Sequence, residues 1–153
     1  MPNSTYPISE LTQEQLHQGM SVYFKTKLTR QDIKAFAQLT GDVNPLHIDA
    51  EYGKRSSFGE NISHGLLSAS LFSTIVGVLL PGRYALLNSI EVRFPKPIPV
   101  NSEVVVSGRV CFVQKTYHAL SLNLLIFLNE EPCVTARAQV TILNQTDTPK
   151  RKA

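Results

Sequence analysis

An acid and an imidazole five residues apart, Asp42 and His47, flank the rigid Pro45 in Leu39-Thr40-Gly41-Asp42-Val43-Asn44-Pro45-Leu46-His47-Ile48-Asp49-Ala50. If that stretch curls, both side chains can meet one small object such as a water molecule and relieve it of a proton. Asn44 is placed to hydrogen-bond the loop's own backbone, a common habit of Asn in turns. The plainer alternative makes Asp42 a turn cap and His47 an ordinary loop histidine. A second feature is Ser63-His64-Gly65, ahead of a long apolar stretch. First-turn N–H groups of a helix lack intrahelical acceptors and favour negative charge, and Gly65 lets a carbonyl oxygen approach closely. That is an oxyanion hole in outline. Otherwise Ser63 caps the helix and Gly65 serves tight packing.

Several elements must position these residues. Met20 to Leu28 reads as a first strand. Thr29 is an N-cap with Asp32 in the first turn, and Ile33, Phe36, Ala37 and Leu39 form an apolar stripe at helical spacing that Gly41 ends. From Asp42 to Ile62, prolines, glycines and acids predict a structured loop with one helical turn near Ala50 to Lys54, which Asp49 can cap. The next helix runs from His64 or Gly65 to about Leu80, where Pro81 and Gly82 stop it. It is apolar nearly all round, which places it inside the protein. Ser73, two turns in, reads as a buried serine bonded back to a helix carbonyl.

The remainder reads as strand. Tyr84, Leu86, Asn88, Ile90, Val92 and Phe94 alternate with their neighbours until Pro95, Pro97 and Pro99 interrupt. Val104, Val106, Gly108, Val110 and Phe112 share one face; Leu120 to Leu128 and Val134 to Ile142 repeat the period of two. Three long strands with one apolar face make an antiparallel meander, and the apolar helix is the element available to cover it. The expected class is α+β: one long helix wrapped by a curved antiparallel sheet. Residues 1–19 form a polar leader expected to pack loosely, 20–143 the domain, and 144–153 a basic, solvated tail.

Composition narrows the field. The chain of 153 residues carries a formal charge of +3, and two of those charges sit in the tail around Lys150, Arg151 and Lys152. The body lacks the basic clusters interleaved with aromatics that grip single strands, so no nucleic-acid partner is expected. Cys111 and Cys133 make no disulfide framework, and no set of His, Cys and carboxylate positions has metal-ligand spacing. No apolar run reaches the roughly 20 residues of a membrane span and the N-terminus lacks signal-peptide character. A cytoplasmic protein without membrane contact is expected.

Residues 39–50, followed by Ile62-Ser63-His64-Gly65-Leu66-Leu67-Ser68-Ala69-Ser70-Leu71-Phe72-Ser73, closely resemble the (R)-specific enoyl-CoA hydratases of the MaoC-like family. The similarity runs from about Thr29 to Leu143. It implies a single hot-dog domain, a homodimer, and reversible syn addition of water to trans-2-enoyl-CoA or enoyl-acyl-carrier thioesters, a lyase reaction without cofactor or metal. On this resemblance Asp42 and His47 match the catalytic pair. Gly65 matches the glycine whose N–H polarises the thioester carbonyl, and Asn44, Ser73 and His64 are supporting residues. Asp42 is favoured as the acid–base group, with His47 orienting the water. Lys54, Arg55, Arg83, Arg93 and Lys96 are candidates to meet the phosphates of the substrate's handle. A hot-dog thioesterase and a non-catalytic acyl-binding or dimerisation module are the alternatives.

Overall fold

The computed structural model describes residues 6–143; the expected tail, 144–153, lies outside them. Five antiparallel strands form one sheet: β1 (Ser21–Lys27), β2 (Ala85–Arg93), β3 (Glu103–Gln114), β4 (Ala119–Leu128) and β5 (Glu131–Ile142), in the order β1-β3-β4-β5-β2. The meander β3-β4-β5 is therefore central, as its alternation predicts, and β1 and β2 are the two edges. Among the described residues, no helix is long and apolar enough to cross a membrane.

α1 (Arg30–Thr40) starts in a reciprocal box: the Asp32 N–H donates to Thr29 Oγ1, while Asp32 Oδ2 accepts from the Thr29 N–H. Gly41, at φ 79°, ends it. The following segment is more helical than expected. α2 (Pro45–Ile48) precedes α3 (Ala50–Arg55) because Asn44 caps the first and Asp49 the second. Pro45 opens α2 at the position where its fixed φ and missing N–H are harmless.

The long helix is not one helix. α4 (Gly65–Ser70) and α5 (Phe72–Thr74) meet at Leu71 and continue into a π turn, Ile75–Leu79. Serine hydroxyls account for part of this. Ser70 Oγ donates to the Leu67 carbonyl at 2.6 Å and Ser68 Oγ to the His64 carbonyl at 3.3 Å, in competition with the backbone ladder. Nor is this rod, residues 65–79, enclosed on all sides. Phe72, Ile75, Val76 and Leu80 are buried, with alternate residues of β3, β4 and β5 completing the core, each contributing on the order of 1.5–3 kcal/mol. Leu66, Ser70, Ser73 and Gly77 stay exposed along the opposite side, so the reading of Ser73 as buried does not hold.

Two further expectations change. A bulge between Val110 and Phe112 breaks the alternation and turns Phe112 outward. The described part of the leader, residues 6–19, is stitched down rather than loose: Ser9 and Leu11 donate to the Val78 and Pro81 carbonyls, the Gly19 N–H reaches Val110, and Leu16 enters the core.

Candidate active site

Asp42 leaves α1 through Gly41, and His47 sits on α2, four residues of chain having turned back on themselves. Asp42 Oδ1 accepts the Asn44 N–H at 3.3 Å, and Asn44 Oδ1 accepts the Leu46 N–H at 3.0 Å, so the two side chains fold the loop between them. His47 Nδ1 lies 2.8 Å from the Ile62 carbonyl. A carbonyl only accepts, so Nδ1 carries the proton of that bond and Nε2 is left to face the site.

His64 completes the cluster from the mouth of the rod. Its ring is 2 % exposed and lies over that of His47, with centroids 3.9 Å apart. Nε2 is 3.0 Å from the Asp42 carbonyl oxygen and 3.9 Å from Oδ2 of the same residue. By the same reasoning Nε2 donates, and it holds Asp42 by its backbone. Nδ1 is buried without a partner. Phe36 of α1 covers the ring from another side, centroid to centroid 5.0 Å. Asp42 itself remains half-exposed, open to solvent or a ligand.

One ligand atom from each of Asp42, His47 and His64 falls within 4.8 Å of the others. With His64 Nε2 committed to a carbonyl and its Nδ1 buried out of reach of solvent, the donors left open to the site are the Asp42 carboxylate and His47 Nε2. Catalytic zinc sites use three protein ligands, so the arrangement fits proton handling better than metal binding.

The rod's mouth is next to this cluster in the chain. His64 occupies the N-cap and makes no side-chain capping bond. Ser63, expected as a possible cap, instead donates to the His64 carbonyl and accepts from Ser68. The first-turn N–H groups, that of Gly65 among them, are thus left without a side-chain acceptor. A Cβ at Gly65 would lie 3.1 Å from the Phe94 ring, so the glycine also permits that aromatic to close on the mouth.

The structure therefore gathers Asp42, Asn44, His47, His64 and Gly65. Ser73 stands apart, eight residues further along the rod, about 12 Å at helical rise. Of the five candidate bases, Lys54, Arg83, Arg93 and Lys96 are paired with Glu51, Glu10, Glu91 and Glu131. Arg55, at the end of α3, has no carboxylate partner among the described residues. Sequence reasoning passed over Phe94 and Asn61. Phe94 stood in a strand pattern, and Asn61 in Glu60-Asn61-Ile62 carries only a turn signal.

Comparison with known proteins converges on one family. The family model described as "MaoC like domain" matches residues 13–117. The chain is 35% identical over 97 residues to a 3-hydroxybutyryl-CoA dehydratase of Methylorubrum extorquens, a match spanning 63% of this chain and 62% of that relative, under two thirds of its length. It is 32% identical over 114 residues to an (R)-specific enoyl-CoA hydratase of Aeromonas caviae, covering 72% of this chain and 85% of the relative. The solved (R)-hydratase from A. caviae involved in PHA biosynthesis superposes with a TM-score of 0.81 at 30% identity, over 83% of this chain and 97% of that one. With the family model accounting for well over half of its residues and a solved relative superposing over nearly its whole length, the chain belongs to the MaoC-like domain family and has the hot-dog fold.

Proposed function

We propose that this protein adds water reversibly and with syn geometry to trans-2-enoyl thioesters, giving (R)-3-hydroxyacyl thioesters, with the acyl group carried on CoA or an acyl carrier. The observation that carries the reading is the convergence of Asp42 and His47 beside an uncapped helix mouth. A water placed between them donates to His47 Nε2, the ring nitrogen freed by the bond from Nδ1 to Ile62. Oδ2 of Asp42, the oxygen not engaged by Asn44, takes the water's proton as oxygen attacks the β-carbon, then returns it to the α-carbon on the same face. One base serving both ends gives syn addition. The thioester carbonyl, lying at the Gly65 N–H, gathers negative charge in between, and such a donor lowers the barrier by several kcal/mol. An O–H bond of water and the carbon–carbon π bond break, the hydroxyl goes to the β-carbon and the proton to the α-carbon, and no electron acceptor is needed.

The names of the two relatives support the reaction class. The rod 65–79 contains no Asp or Glu, which weighs against a thioesterase with its acid on that helix. A homodimer belongs to the proposal. Leu86, Leu87 and Ile90 are exposed on the edge strand β2, and the open stripe of the rod supplies further surface for a second copy. Purified protein mixed with crotonyl-CoA should remove the conjugated enoyl absorbance, and the product should be the (R)-3-hydroxy isomer. A folded protein leaving the absorbance unchanged with short and long enoyl-CoA and enoyl-carrier substrates would return the site to a binding role.

A further inference from the structure

Beside the reacting groups lies a residue to which no role has been given. Asn61 is 2 % exposed, and every polar atom of its side chain is engaged. Nδ2 donates to the carbonyls of Leu46 at 2.9 Å and Asp49 at 2.7 Å, with Pro45 O further off at 3.3 Å. Oδ1 accepts from both terminal nitrogens of Arg30, each at 3.2 Å. The orientation of the amide is forced, since carbonyls only accept and a guanidinium only donates. The three carbonyls belong to α2, the single turn that carries His47, and to its C-cap.

The backbone around Asn61 is just as firmly placed. Its carbonyl accepts the Val100 N–H at 3.0 Å, and the Ser63 N–H reaches Ile98 O at 2.7 Å. Ile62, one residue on, supplies the carbonyl that fixes the His47 ring. α3 presses in from the far side, where a Cβ on Gly53 would lie 2.6 Å from Asn61 N and Nδ2. His47 is therefore fixed twice from one short segment: the turn that carries it is held by the Asn61 amide, and its imidazole by the Ile62 carbonyl.

We propose that Asn61 is a positioning residue that, oriented by Arg30, holds α2 so that His47 Nε2 faces the water beside Asp42. This rests on His47 acting as proposed above. A four-residue helix has little stability of its own, and effective proton transfer requires hydrogen-bond reach between the partners.

Asn61→Asp is the discriminating change. It preserves shape and the contact with Arg30, yet sets an acceptor against three carbonyl oxygens. The expected result with crotonyl-CoA is a fall in kcat of roughly 10²-fold while KM moves less than about threefold. In parallel, the slowly exchanging imidazole N–H proton of His47, observed by nitrogen-15 NMR, should be lost or shifted. Arg30→Met, at a half-buried position, should give a smaller fall in kcat, several-fold, with the same sense of NMR change. It keeps the test open if Asn61→Asp does not fold. Either folded variant with parental kcat and an unchanged His47 N–H signal overturns the proposal. If the parental protein is inactive, the hydratase reading fails while the NMR comparison still decides whether Asn61 sets the ring.

Discussion

In the proposed mechanism, Asp42 and His47 divide the work by what each can still accept. Oδ1 of Asp42 is held by Asn44 and His47 Nδ1 by Ile62, which leaves Oδ2 and Nε2 for the proposed proton transfers. Asp42→Asn keeps shape but not basicity, and His47→Gln keeps polarity but not the imidazole. Each should lower kcat by roughly 10²-fold or more, with KM changed far less. The double variant should lose less than the product of the two single losses, because groups acting on one water work as a unit. Hydration rates, taken after circular dichroism confirms folding, check this; a folded Asp42→Asn protein with half the parental kcat would sink the mechanism. The spacing of Asp42, Asn44 and His47 made their meeting in one curled loop legible in the sequence, while the roles came from the family resemblance. Asn61 was not legible, because its value lies in carbonyl oxygens 12 to 16 residues upstream and a guanidinium 31 residues away, and a single asparagine says nothing about such partners.

The elements were readable where a local rule set them. Thr29 with Asp32 marked the start of α1, and period-two runs placed β3, β4 and β5. The rod misled because apolar composition predicts a helix without predicting its pitch; backbonding serines and the π turn are settled by packing against the sheet. Phe112 misled because one bulge moves every later residue to the other face. The cap of α1 has an energetic weight that can be measured. Thr29→Ala removes both the acceptor for the Asp32 N–H and the 2.6 Å contact to Asp32 Oδ2, and should cost about 1 kcal/mol in urea unfolding. The same helix delivers Arg30 to Asn61 and Phe36 to His64, so fraying at its start loosens the site as well as the fold. An unchanged urea midpoint would mean that Asp32 alone closes the helix end.

At the scale of the whole molecule, light scattering at micromolar concentration should give twice the 17.0 kDa chain mass, and Ile90→Lys on the edge of β2 should shift the population toward one chain. A single-chain mass for the parental protein would remove the homodimer from the proposal. Thiol chemistry offers an independent check on the core. Burial pushes the Cys133 thiol above its ordinary pKa, so it stays protonated and unreactive near neutral pH, while the partly exposed Cys111 is open to reagent. One thiol per native chain should react with a disulfide reagent, and two after denaturation. The unfolded chain gives up this proton at lower pH than the folded one, so the thiol's contribution to stability is complete below the ordinary thiol pKa and is lost as pH rises from there through the raised folded value. The sheet's other edge has a consequence for colloidal behaviour. If two copies join through β2, both β1 strands face outward with one row of backbone groups unpaired, the template on which fibrils extend. Lys25 and Lys27 line that rim, exposed, and a second β1 arriving there meets like charge. Polymerisation is then opposed at the strand edge left open among the described residues, so a pair joined in this way closes instead of running on into aggregate.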